Sequence, residues 1–165
     1  PTATPVPIKL PTTRVATRVA VPDLGIDLPV ILQPTTYPPC KVAMYLTAFK
    51  QPGQGGVTYL YAHAQAGSFL PLLNASLVDG GAAMVGMTVR VWTGDSYLFT
   101  YRISEVRPHQ YSLDGAYAWK GESAWLQTSE SSGPGTPKLQ VVSVFVGSAQ
   151  VDYAQAHPIP YPVAC

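Results

Sequence analysis

Residues 57–73 read VTYLYAHAQAGSFLPLL, and this stretch joins an apolar run to a histidine. Residues 57–62 are rich in β-forming side chains and predict a buried strand. His63 stands at the end of that strand, before a loop that contains Gly67. Polar side chains at a strand end that faces a loop are often functional. A lone histidine at such a place is more often structural, so its role depends on the rest of the chain.

Further β-forming runs lie on both sides of this stretch, with glycine- and proline-rich turns between them. The runs predict strands over residues 18–21, 28–32, 43–49, 88–93, 97–106, 125–128 and 139–146. Gly94 and Asp95 lie between two of these runs and predict a hairpin turn. About eight short strands with little helix indicate an all-β closed barrel or a sandwich.

Helical signals are few. Ser68 is expected to cap a short helical turn over residues 69–73, whose length Pro71 limits. Residues 75–86 are a second helical candidate, weakened by two adjacent glycines. Neither segment changes the all-β prediction.

The composition suits one domain with a sizeable core. Of the 165 residues, 47% are apolar and 12% are charged, with a net charge of +1. This balance, without any Lys/Arg cluster, gives no basis for nucleic-acid binding. The sequence has no paired metal-ligand motif and no phosphate-binding loop, so we expect no metal and no cofactor.

The first fifteen residues form a Thr/Pro-rich tract. Such a tract favours extended backbone, and we interpret residues 1–15 as a stalk and residues 16–165 as the folded domain. A tail that packs along the domain is the alternative. No run is long enough to span a bilayer, and no signal peptide is visible. We therefore expect an extracellular domain, tethered to the cell membrane by a segment absent from this chain, rather than a protein with no anchor.

Cys40 and Cys165 are the two cysteines of the chain. Their even number permits a disulfide in an oxidising compartment, and two free thiols are the alternative. We favour the disulfide because the composition suggests an exported protein. Neither cysteine is expected to be catalytic.

Two further histidines attract no functional prediction. His109 follows a proline in an expected loop, and His157 precedes a proline near the C-terminus. Neither has an evident partner in the sequence, and we interpret both as surface residues.

Four segments together resemble the sortase family in order and spacing. They are RVAVPDLGIDLPVI (18–31), YLYAHAQAGSFLPLL (59–73), GMTVRVWTGDSYLFTYRISEV (86–106) and WLQTSESSGPGTPKLQVVSVFV (125–146). The resemblance implies a closed eight-stranded sortase-type barrel with short helical or 3-10 turns. Because no lid-like insertion is visible before the barrel, the chain resembles the smaller exported classes, such as E and F, more than the pilus type.

The sortase resemblance also implies a catalytic site. In that family a cysteine attacks the carbonyl of a sorting-signal peptide, a histidine handles the proton of the leaving amine, and an arginine stabilises the developing charge. His63 matches the histidine, Ser129 stands at the cysteine and Lys138 at the arginine. Thr128 retains a threonine of the cysteine motif, Trp125 replaces another, and both are expected to support the groove.

The substitutions leave several functions open. A serine hydroxyl is far less acidic than a thiol and needs a positioned base. The chain is either a binding protein that has lost ordinary transpeptidation, or a serine-dependent acyl transferase or hydrolase that uses Ser129 with His63 or Lys138. A Cys→Ser substitution introduced into an active sortase and a purely structural β-domain on a stalk are further possibilities. The resemblance implies a peptide sorting signal or a cell-wall amine as partner, and we expect a monomer.

Overall fold

The computed structural model describes residues 4–165, which form eight strands and a few short helices. The strands are β1 (Ala16–Val21), β2 (Ile26–Leu32), β3 (Ala43–Tyr45), β4 (Val57–Tyr61), β5 (Thr88–Thr93), β6 (Tyr97–Gln110), β7 (Ser123–Ser129) and β8 (Lys138–Gln150). The α-helices are α1 (Leu70–Ser76), α2 (Asp114–Ala118) and α3 (Tyr153–Ala156), and 3-10 helices span Pro22–Leu24 and Asp79–Met84.

The strands close into one barrel in the order β1-β2-β3-β4-β7-β8-β6-β5, and β5 pairs back onto β1. Most neighbours are antiparallel, but β2–β3 and β4–β7 are parallel. The predicted closed eight-stranded barrel with short helices is therefore confirmed. Closure leaves every strand with a partner on each side, which removes the unpaired edges of an open sheet.

Alternation along the strands creates two apolar layers. Ala124 and Leu126 of β7 belong to the main core, which receives residues from all eight strands. Trp125, between them, belongs to a second cluster with Tyr59 and with Ala116 of α2. The helix therefore covers the face of β4 and β7 that is turned away from the main core.

The third predicted strand is shorter than expected. It ends at Tyr45 rather than continuing to Phe49, because Phe49 N bonds to Leu46 O within a turn at 3.3 Å. Lys50 N then bonds to Val57 O at 2.8 Å and leads the chain towards β4. Local turn formation here overrides the β propensity of the sequence.

The prediction that Ser68 caps a helical turn is wrong. Helix α1 begins after Phe69 with no side-chain cap, and the Ser68 hydroxyl instead accepts a hydrogen bond from Lys41 N at 3.3 Å. Pro71 lies in the first turn, where a missing N–H costs nothing, so the helix continues to Ser76. Short helices α2 and α3 were not predicted at all.

The Thr/Pro-rich tract contacts the barrel from Ile8 onward. Ile8 N donates to Pro160 O at 3.1 Å, and Leu10 is buried. A Cβ at Gly94 would collide with the backbone oxygen of Pro11, so the tract passes tightly over the β5–β6 turn. This part of the predicted stalk lies against the domain, while residues 1–3 lie outside the described residues.

Candidate functional site

Strand direction brings three of the predicted site residues to one end of the barrel. Strands β4 and β7 are parallel, so both finish at the same end, and the antiparallel β8 begins there. His63 follows β4, Ser129 ends β7 and Lys138 starts β8. All three line one groove, so the clustering expected from the sequence is present in the structure.

Ser129 and Lys138 are direct cross-strand partners in the β7–β8 register. Lys138 Nζ donates a hydrogen bond to Ser129 Oγ at 2.8 Å, and both side chains are half-buried. An ammonium donor engages a lone pair of the hydroxyl oxygen but cannot remove its proton. Only a neutral Lys138 could accept the Ser129 proton, and the same hydrogen bond would then run in the opposite direction.

The imidazole of His63 is engaged elsewhere. Its Nε2 lies 2.7 Å from the carbonyl oxygen of Pro38. A carbonyl only accepts hydrogen bonds, so Nε2 carries a proton, and Nδ1 is the acceptor when the ring is neutral. The Tyr37 ring packs beside the imidazole with 5.2 Å between ring centroids. Within residues 4–165, Ser129 therefore has Lys138 rather than His63 as its hydrogen-bond partner.

Thr128 links the ends of the two parallel strands. Its buried Oγ1 donates to Ala62 O at 2.8 Å, and Ala62 N donates to Gln127 O at 3.2 Å. These bonds join the residues that immediately precede Ser129 and His63. Thr128 thus supports the relative placement of the two side chains from below the groove.

Trp125 does not contribute to the groove, which corrects its expected supporting role. Its side chain is fully buried beside α2, and its ring packs edge-on against Trp119 with 5.8 Å between centroids. It shares a strand face with Ser129 but lies four residues away, about 13 Å at the rise of a strand. The helix covers the strand at Trp125 and leaves its end open at Ser129.

The groove has a volume of about 790 Å³, within the roughly 300–1,000 Å³ range of ligand sites. Its walls combine aromatic, amide and hydroxyl side chains with a histidine, a glutamate and a lysine. The lining residues are Tyr37, Pro38, Tyr61, Ala62, His63, Ala64, Gln65, Leu73, Gln127, Thr128, Ser129, Glu130, Ser131, Ser132, Gly133, Pro134 and Lys138.

Sequence reasoning missed the pairing of Glu130 with His109. One carboxylate oxygen accepts from His109 N and the other lies against His109 Nδ1, each at 2.7 Å. His109 adopts a left-handed backbone with φ of 59°, which turns its N–H towards the carboxylate. The two residues are 21 positions apart, and they meet because β6 and β7 both pair with β8. A histidine predicted to be an unpartnered surface residue thus pairs with a residue that lines the groove.

His157 is structural and distant from this site. Its ring nitrogens lie 2.8 Å from Tyr153 O and 3.1 Å from Pro11 O, and its ring stacks on Tyr153. It holds the N-terminal tract against the C-terminal segment.

Cys40 and Cys165 form a disulfide with an S–S distance of 2.02 Å and a Cα–Cα distance of 5.3 Å. The bond lies next to the groove, because Cys165 Sγ contacts Pro38 O at 3.8 Å. Of the two alternatives left open by the sequence, the structure has the paired cysteines.

The described residues have neither a metal-ligand cluster nor a membrane-spanning helix. Residues 4–165 contain no group of three or more histidine, cysteine, aspartate or glutamate side chains that could hold a metal ion. None of the helices in the same part of the chain is long and apolar enough to cross a membrane.

No protein-family model and no curated protein matches the sequence of this chain. Solved structures do match. Sortase A of Listeria monocytogenes is 16% identical with a TM-score of 0.68, covering 87% of this chain and 96% of its own. Sortase C1 of Streptococcus suis is 17% identical with a TM-score of 0.63, covering 81% and 74%. Sortase C-1 of Actinomyces oris is 18% identical with a TM-score of 0.61, covering 82% and 76%. This chain has the sortase fold.

Proposed function

We propose that this protein is a sortase-fold domain that binds an extended peptide in its groove without ordinary cysteine-type transpeptidation. The observation that carries the proposal is the hydrogen bond from Lys138 Nζ to Ser129 Oγ at 2.8 Å. The position of the family's nucleophile holds the hydroxyl of Ser129, and this hydroxyl accepts a hydrogen bond from Lys138. We further propose that the domain acts outside the cell, tethered to the membrane, because disulfides persist in oxidising compartments.

The chemistry of the three side chains supports binding over thiol-type transfer. A free thiol has a pKa of about 8.5 and reaches the thiolate readily, whereas a serine hydroxyl needs a base within about 3 Å. His63 directs the proton of Nε2 to Pro38 O, and Lys138 donates to the hydroxyl. Neither arrangement removes the proton from Ser129.

The composition of the groove supports an extended peptide as the ligand. Peptide backbones need alternating donors and acceptors, and Gln65, Gln127 and the serines of the β7–β8 loop supply both. Tyr61 and Leu73 add surface for apolar side chains. The groove is open at the barrel end, so a chain can pass through it without threading.

Binding can be tested with immobilised random nonapeptides and the purified oxidised protein. Ala64 lines the groove, and Ala64→Trp should fill it and reduce peptide capture at least 10-fold. Ala154→Trp, on the exposed face of α3, is the matched control and should leave capture unchanged. Absence of any captured peptide, or equal loss in both variants, would rule out the groove as a peptide site.

The same 2.8 Å hydrogen bond favours a second candidate function, a Ser–Lys hydrolase. A neutral Lys138 would take the Ser129 proton as Oγ bonds to a peptide carbonyl carbon. The C–N bond would then break, the amine would leave with the proton from Lys138, and water would release the acyl group. This reaction requires no role for His63.

A fluorophosphonate probe separates the two functions. A binding protein should show no mass shift at Ser129. A Ser–Lys hydrolase should be labelled at Ser129, with labelling kept in His63→Ala and lost in Lys138→Met. Labelling that depends on His63 instead would support a histidine-assisted serine enzyme and would contradict the observed hydrogen-bond arrangement.

A further inference from the structure

One wall of the groove is the connection between β2 and β3, residues 33–42, here called the His63 brace. Pro38 in this segment supplies the carbonyl that accepts from His63 Nε2, and Tyr37 supplies the ring beside the imidazole. The brace therefore fixes both the orientation of His63 and the nitrogen that carries its proton.

The apolar core contributes little to holding the brace. Residues 33–41 contain no buried side chain, and only Val42 at its end is buried. Its remaining attachments are few, and the bond from Lys41 N to Ser68 Oγ at 3.3 Å is one of them. A segment with so little buried surface depends on specific links for its position.

The strongest links run to the C-terminal segment. Cys40 N donates to Val163 O at 2.7 Å, and Val163 N donates back to Cys40 O at 3.2 Å. The Cys40–Cys165 disulfide closes this contact covalently, and Cys165 Sγ touches the oxygen of Pro38 that binds His63. Cys165 is exposed and open to a reductant, while Cys40 is half-buried.

We propose that the Cys40–Cys165 disulfide is the positioning element of His63 and makes the groove sensitive to reduction. A dithiol would attack one sulfur, displace the other as a thiolate, and be oxidised to its own disulfide, leaving two protein thiols. The brace would then lose its covalent hold, and Pro38 O would no longer be fixed against Nε2. The effect on ligand binding rests on the proposed peptide function, whereas the effect on His63 does not.

The three histidines allow a direct test by NMR on the full chain labelled with 15N-histidine. In the oxidised protein, His63 should show a single neutral tautomer with the proton on Nε2. Dithiothreitol, or the Cys165→Ser variant, should replace it with mixed tautomers. His109 is held by Glu130 on other strands and should keep its signals, as the internal control.

Each outcome is decisive. An unchanged His63 after verified reduction would overturn the proposal. A change in His63 together with His109 would also overturn it, because the disulfide would then stabilise the whole fold rather than position one residue. A change confined to His63, with a peptide affinity at least 10-fold weaker, would support the proposal. The same confined change without peptide binding in either state would support the positioning of His63 and reject the proposed function.

Discussion

The two ends of strand β7 carry the same pair of residue types in mirrored order. Ser123 begins the strand and follows Glu122, and Ser129 ends it and precedes Glu130. At the first end, one oxygen of the Glu122 carboxylate accepts hydrogen bonds from Gly53 N and Gly55 N, each at 3.0 Å. Its other oxygen accepts a hydrogen bond from the hydroxyl of Tyr101.

At the second end the partners are basic side chains. Ser129 accepts from the ammonium of Lys138, and Glu130 accepts from His109. Ser123 is fully buried, and within the described residues its hydroxyl has no hydrogen-bond partner. The comparison shows that residue type does not separate structure from chemistry. Basic partners, beside an open groove that Ser129, Glu130 and Lys138 line, make the second end a candidate site.

The largest expected difference between the two ends is in how much each glutamate contributes to the free energy of unfolding. Glu122→Ala removes the acceptor of three hydrogen bonds and frees the loop before β4. Because bonds to a charged group are worth about 1.5–3 kcal/mol each before relaxation, we expect a loss of about 3 kcal/mol. Glu130→Ala should cost about 1 kcal/mol. Urea unfolding of both variants measures the difference, and equal losses would break the comparison.

The second-largest expected difference between the two ends is in the reactivity of a cysteine placed there. In Ser129→Cys, the nearby Lys138 ammonium should stabilise a thiolate, because an adjacent cation lowers a thiol pKa. Adding Lys138→Met should slow alkylation by iodoacetamide about 10-fold, which corresponds to one pKa unit or about 1.4 kcal/mol. Ser123→Cys, buried at the other end, should not react in the folded state. The native cysteines are paired and do not interfere.

Recovery of transpeptidation by Ser129→Cys would have a separate meaning. It would be consistent with a serine introduced into an otherwise active sortase, and it would contradict divergence of the whole site. An inert but alkylatable Ser129→Cys variant would instead favour divergence of the whole site, including Lys138.

The fold should also be sensitive to alkaline pH, through Tyr101 at the first end of β7 and Tyr59 beside the middle of that strand. Burial raises the pKa of Tyr59, and burial with the charge of Glu122 raises that of Tyr101, both well above the ordinary value of 10.0. The unfolded chain therefore releases these protons first, and stability is full below about pH 10 and falls above it. Tyr101 alone should cost about 1 kcal/mol between pH 10 and pH 11. Urea unfolding should show a shallower decline in Tyr101→Phe; an identical slope would contradict the assignment.

The smallest expected effect concerns the His109–Glu130 pair. The His109 side chain is 74% exposed, so solvent screens its contribution. His109→Gln should change the free energy of unfolding by about 0.5 kcal/mol or less, because the backbone bond from His109 N to Glu130 is retained. A loss above 2 kcal/mol in urea unfolding would show that this pair stabilises the fold as Glu122 does.

The sequence was sufficient to predict the strands and the approach of His63, Ser129 and Lys138. Strand patterns are local, and the sortase resemblance implied the closed barrel and the match of His63, Ser129 and Lys138 to one site. The sequence could not show that Pro38 O would bind His63 Nε2 or that Glu130 would meet His109, because these contacts depend on the backbone geometry of loops.

The prediction that Trp125 supports the groove was wrong for a different reason. Motif position placed it beside the groove, but the groove begins where α2 stops covering the strand, and α2 was not predicted. A five-residue helix has too weak a local signal to be recognised from sequence.

The parallel pairing of β4 with β7 has a consequence for how the molecule folds. It joins residues 57–61 to residues 123–127, so the ends of these strands meet only after a long intervening loop has closed. Loop closure of this kind costs entropy before any contact repays it, and it slows barrels relative to helical proteins. The site therefore forms in two parts. The β7–β8 hairpin can bring Lys138 to Ser129 locally, whereas His63 joins them only when β4 pairs with β7. Conditions that open β4 from β7 should separate His63 from the other two residues before the hairpin itself is lost.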